Sequence, residues 1–178
     1  MKTVKIKDLT FRESIPASEI QQRVKAVAAQ INNDYEGKCP LIIAVLNGSF
    51  IFAADLVREL TIPNEITFIR LKSYEGTTTT GKVKVITGLN EELAGRDVII
   101  VEDIVDTGFT MQNMLNMLNE KNPASIRVCS LFVKPGNLQV PDLKIDYSCF
   151  EIPNDFILGY GLDYDELGRN LGSIYTKI

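Results

Sequence analysis

Three carboxylates, two threonines and a glycine crowd one short stretch, Val98-Ile99-Ile100-Val101-Glu102-Asp103-Ile104-Val105-Asp106-Thr107-Gly108-Phe109-Thr110. Carboxylates can hold hydroxyl groups, bind a cation or take up a proton. Hydroxyls, a flexible glycine and the unpaired N–H groups of a helix start can cradle an anion. Acids repel phosphate, so the two halves of the stretch must serve different parts of a ligand. A molecule that is part sugar and part phosphate meets that requirement. Read alone, Asp-Thr-Gly-Phe-Thr also fits an ordinary helix cap at Asp106 or Thr107.

The elements around this stretch explain how it would be positioned. Val98 to Val101 is an unbroken β-branched run, the pattern of a parallel strand covered on both faces. Glu102 and Asp103 are costly to bury in mid-sheet and are expected beyond the strand's end, in a crevice. Met111, Met114, Leu115 and Leu118 recur with helical spacing and form one apolar stripe. Ligands of open α/β sheets bind at the carboxyl ends of strands, where the acids and the helix start would meet.

The same alternation runs through the chain. Ser18 to Asn32 reads as a helix, with Ser18 as N-cap and Ile20, Val24, Val27 and Ile31 as its buried stripe. Leu41 to Leu46 reads as a buried strand and Phe50 to Leu60 as a helix stopped before Pro63. Glu65 to Leu71 and Lys82 to Thr87 flank a polar loop, Ser73 to Gly81, that reads as a hairpin tip able to close over reactants. Ile126 to Val133, Asp146 to Glu151 and Asp155 to Gly159 are further strands. The fold class is α/β: a mostly parallel central sheet flanked by helices, with a small hood formed by the chain ends. Residues 1–178 are expected to form one domain, with a core of about 38–134 and a hood from about 1–15 and 135–178.

Composition narrows the chemistry. There is no histidine, which removes imidazole catalysis and histidine metal sites. Proton transfer falls to carboxylates, lysine or tyrosine. The net charge is −4 and the pI about 5.0, a poor balance for general nucleic-acid binding. No apolar run approaches the roughly 20 residues of a membrane span. The start, Met1 to Lys7, has no apolar core of a signal peptide and reads as an edge strand. Cys39, Cys129 and Cys149 form no metal or redox motif; the last two read as small buried thiols, and a reducing cytoplasm is expected.

Other segments add polar groups at strand ends. Leu46-Asn47-Gly48-Ser49-Phe50 turns from strand into helix, with Ser49 placed to cap it. Arg70-Leu71-Lys72-Ser73-Tyr74 leads into the polar loop. Val133-Lys134-Pro135 ends a strand on a lysine. Phe156-Ile157-Leu158-Gly159-Tyr160-Gly161-Leu162-Asp163-Tyr164-Asp165-Glu166, followed by Arg169-Asn170, joins an aromatic, a glycine-rich bend, acids and an arginine. In these segments and their order the chain resembles the hypoxanthine-guanine branch of the type I phosphoribosyltransferases. The stretch from Val98 to Thr110 resembles that family's signature for phosphoribosyl pyrophosphate (PRPP).

The resemblance implies transfer of 5-phosphoribosyl from PRPP to N9 of hypoxanthine or guanine, with release of pyrophosphate, in purine salvage. It implies that Glu102 and Asp103 hold the ribose hydroxyls and that Asp106 is the general base at the purine N7. Thr107, Gly108, Phe109 and Thr110 would cradle the 5′-phosphate. Leu46, Asn47 and Gly48, with Ser73, Tyr74 and Arg169, would meet the pyrophosphate. Lys134 would face the 6-oxo group, Phe156 would stack on the purine, and Ile157, Ile104 and Asp163 would complete its pocket. Magnesium is the implied cofactor, near Asp163, Glu102 and Asp103, and a homodimer or homotetramer is the implied assembly. The equivalent turn often carries a cis peptide, here Leu46–Asn47. Asn47 departs from the family, where many members carry Lys or Arg. The alternative is a regulator that uses the same fold to sense nucleotides without catalysis.

Overall fold

Apolar runs without alternation demand cover on both faces of a sheet. The computed structural model describes residues 2–73, 83–87 and 89–178. Its elements are β1 (Thr3–Ile6), β2 (Leu9–Ile15), α1 (Ala17–Asp34), β3 (Leu41–Leu46), α2 (Phe50–Glu59), β4 (Glu65–Ser73), β5 (Val83–Thr87), β6 (Asp97–Val105), α3 (Phe109–Asn119), β7 (Ser125–Val133), β8 (Tyr147–Glu151), β9 (Ile157–Leu158) and β10 (Ile174–Lys177). The larger sheet has the order β5-β4-β3-β6-β7-β8. All its neighbours pair in parallel except β4 and β5, which are antiparallel.

Successive strand residues point to opposite faces, and here both faces are filled. Ile42, Ala44, Ile99 and Val101 pack with Ile20, Val24, Phe52 and Leu56 of α1 and α2. Ile43, Val45, Val98 and Ile100 pack with Met111, Met114 and Leu118 of α3. Full burial of one such side chain contributes about 1.5–3 kcal/mol, so the strand ends are rigid supports for the loops they carry.

The crevice follows from the register. β3 pairs with β6 only as far as Ala44 and Val101. On the outer sides the ladders run further, to Leu46 opposite Arg70 and to Val105 opposite Val133. The chain leaving β3 enters α2 on one face, and the chain leaving β6 enters α3 on the other. This divergence is the point at which open α/β sheets form ligand clefts.

The hood is a second, antiparallel sheet of order β1-β2-β10-β9. Phe11, Leu158 and Tyr175 form its small core, with Val4, Ile6 and Leu9 against them. The expected edge strand at the start is β1. The cysteines follow expectation: all are unpaired, with Cys129 and Cys149 buried.

Three expectations need correction. β6 does not stop at Val101 but continues through Glu102 and Asp103 to Val105, because β7 still pairs with it on one side. Ser18 is not the N-cap of α1; Pro16 holds that position without a side-chain bond. The Ala17 amide instead donates to Ser173 Oγ at 3.2 Å, a partner from the other end of the chain. Residues 147–151 belong to the large sheet rather than the hood, since β8 pairs with β7. The polar loop beyond Ser73, with Tyr74, lies outside the described residues.

Candidate active site

The two acids at the end of β6 sit differently. Glu102 is buried and Asp103 is partly buried. Burial, then the neighbouring Asp103 charge, pushes the Glu102 carboxyl well above the usual range. Burial raises Asp103 as well, opposed by hydrogen bonds and by the charge of Arg169. Each carboxyl accepts a backbone N–H: Glu102 Oε1 from Asp103 at 3.1 Å, Asp103 Oδ1 from Ile104 at 2.8 Å. Both acids were expected beyond the strand's end, and both instead lie within β6. They lie beyond the last pair of the β3–β6 ladder, and Glu102 is enclosed.

The turn after β3 closes on this pair. The Leu46–Asn47 peptide is cis, and Gly48 follows it. A methyl group at Gly48 would stand 1.5 Å from Asp103 Oδ2, so only glycine lets the turn approach so closely. Ser49 occupies the N-cap position of α2 without a capping bond; its hydroxyl donates back to the Val45 carbonyl at 2.6 Å.

Beyond Val105 the chain builds the anion cradle. Gly108 is the N-cap of α3 with φ 89°, a left-handed turn that an L side chain resists. The Gln112 amide makes the helical bond to the Gly108 carbonyl at 2.9 Å. Amides ahead of it are left for another acceptor. A cavity of about 90 Å³ lies here, lined by Glu102, Asp106, Thr107, Gly108 and Thr110 among others. Phe109 contributes backbone to the helix start while its ring is largely exposed.

Asp106 stands at the mouth with its side chain 45% exposed. Lys134, buried at the end of β7, places Nζ 3.6 Å from Asp106 Oδ2 and 3.4 Å from Asn154 Oδ1. Asn137 Nδ2 donates to the other Asp106 oxygen. Sequence reasoning missed Asn137 and Asn154. Neither lies in a motif, and the only signal was a Pro-Gly-Asn turn just after Lys134.

The hood supplies the remaining side. Arg169 donates to the Gly161 carbonyl at 2.8 Å and pairs with Asp163 at 2.9 Å and Glu166 at 3.2 Å. A methyl group at Gly161 would meet the Gly48 carbonyl oxygen at 2.1 Å, so this bend rests on the turn after β3. Phe156 remains 44% exposed and meets Tyr164 edge-on with centroids 5.8 Å apart. Ile157 is buried in β9, and Ile104 packs on the main core. Glu102, Asp103 and Asp163, expected together around a metal, do not form one cluster. Among the described residues no three Asp, Glu or Cys side chains group closely enough to hold an ion.

Comparison with known proteins gives the family. A family model described as the phosphoribosyl transferase domain matches residues 15–165. A hypoxanthine-guanine phosphoribosyltransferase of Mycobacterium tuberculosis is 41% identical over 169 residues, 91% of this chain and 83% of that protein. The crystal structure of a hypoxanthine-guanine phosphoribosyltransferase from Bacillus anthracis superposes with a TM-score of 0.89 at 40% identity, covering 94% of this chain and 96% of that one. A Trypanosoma cruzi hypoxanthine phosphoribosyl transferase, whose C-terminal region has a role in oligomeric state and enzymatic activity, gives 0.90 at 35% identity, covering 98% and 95%.

Proposed function

The chain belongs to the phosphoribosyl transferase family, and we propose that it moves a 5-phosphoribosyl group from PRPP to N9 of hypoxanthine or guanine. It is a pentosyltransferase of purine salvage, and the products are the nucleoside monophosphate and pyrophosphate. The observation that carries this reading is Asp106, held between the buried Lys134 ammonium and the amide-lined start of α3.

Breaking the anomeric bond builds positive charge on the ribose ring. Asp103 and Glu102 hold the ribose hydroxyls beneath that charge. The 5′-phosphate sits on the amides and hydroxyls of Thr107, Gly108, Phe109 and Thr110. Asp106 takes the purine N7 proton as N9 attacks, a role that typically contributes about 10²–10⁴ in rate. Lys134 donates to the 6-oxo group, and the amino group of adenine offers it no comparable acceptor. Phe156 lies over the purine, Ile157 presents its backbone to the ring edge, and Ile104 and Asp163 border that pocket. The pyrophosphate meets the Leu46–Gly48 turn and Arg169, and Ser73 and Tyr74 are its further partners by resemblance to the family.

Magnesium fits this site as an ion carried by substrate. Mg²⁺ binds through one or two carboxylates plus phosphate and water oxygens, and the hard oxygens of Asp103, Glu102 and Asp163 suit it without forming a cage. When bound, it neutralises charge on the leaving pyrophosphate.

Self-association is supported by Ile66 and Phe68, both exposed on β4, which give an apolar strip for a second subunit. Among the described residues no helix is long and apolar enough to cross a membrane, and the free thiols support a cytoplasmic setting. The relatives are enzymes by name, and no observation favours the regulatory reading. Incubation with PRPP, Mg²⁺ and each of hypoxanthine, guanine, xanthine and adenine tests the function. Nucleotide should form with hypoxanthine or guanine and not adenine; no nucleotide with either 6-oxopurine overturns it.

A further inference from the structure

We propose that Asn137 is a positioning residue for the reaction: its side-chain amide fixes one oxygen of Asp106 so that the other faces the purine. The inference rests on the reading of Asp106 as the base and adds the group that aims it.

The argument begins with the segment after β7. Pro135–Asn137 is a single 3-10 turn, closed by the Asn137 amide donating to the Lys134 carbonyl at 3.0 Å. The chain then runs back along the phosphate loop. The Gln139 amide donates to the Thr107 carbonyl at 2.9 Å. Val140 and Leu143 press on Gly108, where an added methyl group would meet Leu143 Cδ2 at 2.8 Å. The segment is thus docked on the loop that carries Asp106, and the Asn137 side chain emerges from its fixed end.

From there Asn137 Nδ2 reaches Asp106 Oδ1, while Lys134 Nζ lies 3.6 Å from Oδ2. The two partners differ in what happens when substrate enters. Lys134 has a competing acceptor in the 6-oxo group and can release Oδ2. Asn137 sits on a segment docked on the phosphate loop and keeps Oδ1. Asp106 is then left with one held oxygen and one free for the N7 proton, so its plane is set before the proton moves. Orientation of a half-exposed carboxylate is otherwise free to vary, and misdirection of a reacting group lowers rate without weakening substrate binding.

The test uses Asn137→Ala, Asn137→Asp, Asp106→Asn and the double variant Asp106→Asn/Asn137→Ala, each measured by single-turnover nucleotide formation and by KM for PRPP. Aspartate keeps the size and turn preference of asparagine but removes the donor. Losing a hydrogen bond to a charged group corresponds to roughly 10-fold or more in rate. Both Asn137 variants should slow turnover by that factor with KM for PRPP within about twofold. In the Asp106→Asn background, Asn137→Ala should add less than about twofold, because the group it aims is gone. Parental rates in Asn137→Asp overturn the proposal, as does a full additional loss in the double variant, which would mark Asn137 as structural. Parental turnover in Asp106→Asn overturns the underlying base assignment instead, so the two failures are distinguishable.

Discussion

Gly48→Ala probes how closely the turn after β3 and the acids of β6 fit together. The new methyl carbon would lie 1.5 Å from Asp103 Oδ2 and 2.5 Å from its Cγ. To reach ordinary van der Waals separation the carboxylate must retreat by about 2 Å. It cannot do so by rotating freely, because Oδ1 accepts the Ile104 amide at 2.8 Å, and that bond is lost as the group swings away. A hydrogen bond to a charged acceptor nets about 1.5–3 kcal/mol, which for a chain of this size corresponds to a melting temperature lower by about 4–8 °C. Asp103 would also leave the ribose, so kcat/KM for PRPP should fall roughly 10-fold or more. Thermal denaturation and PRPP titration at saturating hypoxanthine read the two effects. Gly136→Ala provides the baseline, since its methyl group would meet nothing within 4 Å. A Gly48→Ala protein that melts within about 1 °C of its parent and keeps the parental KM would refute the close approach.

Asp106→Asn should lower kcat by about 100-fold or more while PRPP still binds; rapid-quench turnover and isothermal titration check the pair, and unchanged turnover removes the base. Lys134→Met should raise KM for hypoxanthine roughly 10-fold and narrow the preference for 6-oxo over 6-amino purines, with equal kinetics in both proteins as the contrary result. Glu102→Gln should stabilise the fold at neutral pH. Burial raises the carboxyl's folded value well above 4.5, so the folded state binds the proton more tightly than the unfolded chain. Stability is then lost as pH rises above the unfolded value, and a neutral amide escapes that loss. The gain in melting temperature should shrink toward zero below about pH 4; a gain that persists there contradicts the linkage.

How much of this was legible depends on the distance over which each feature is determined. β3 reads from Leu41 to Leu46 as observed, because an uninterrupted apolar run has only one way to be covered. The helix after it ends at Glu59 rather than Leu60, within the fraying expected of any end. The stop assigned to β6 failed for an electrostatic reason. Carboxylates were expected to leave the strand, but Glu102 stays paired with Ser130 across the ladder and shifts toward its neutral form instead. The start of α1 was misplaced because its first amide is satisfied by Ser173, at the far end of the chain. The acids, the phosphate loop and the lysine could be named from local order. Their mutual geometry could not: the Gly48–Asp103 approach and the Asn137–Asp106 bond each join segments far apart in the chain, and nothing in either segment encodes the other.

The central claim is that acids from β6 and amides from the start of α3 grip one activated pentose phosphate from two ends. A crystal structure of the protein with PRPP and Mg²⁺ measures this directly. The account predicts the 5′-phosphate on the backbone amides of residues 107–110, with the ribose hydroxyls on Glu102 and Asp103. PRPP ordered at another place, with that cradle left to solvent, contradicts it.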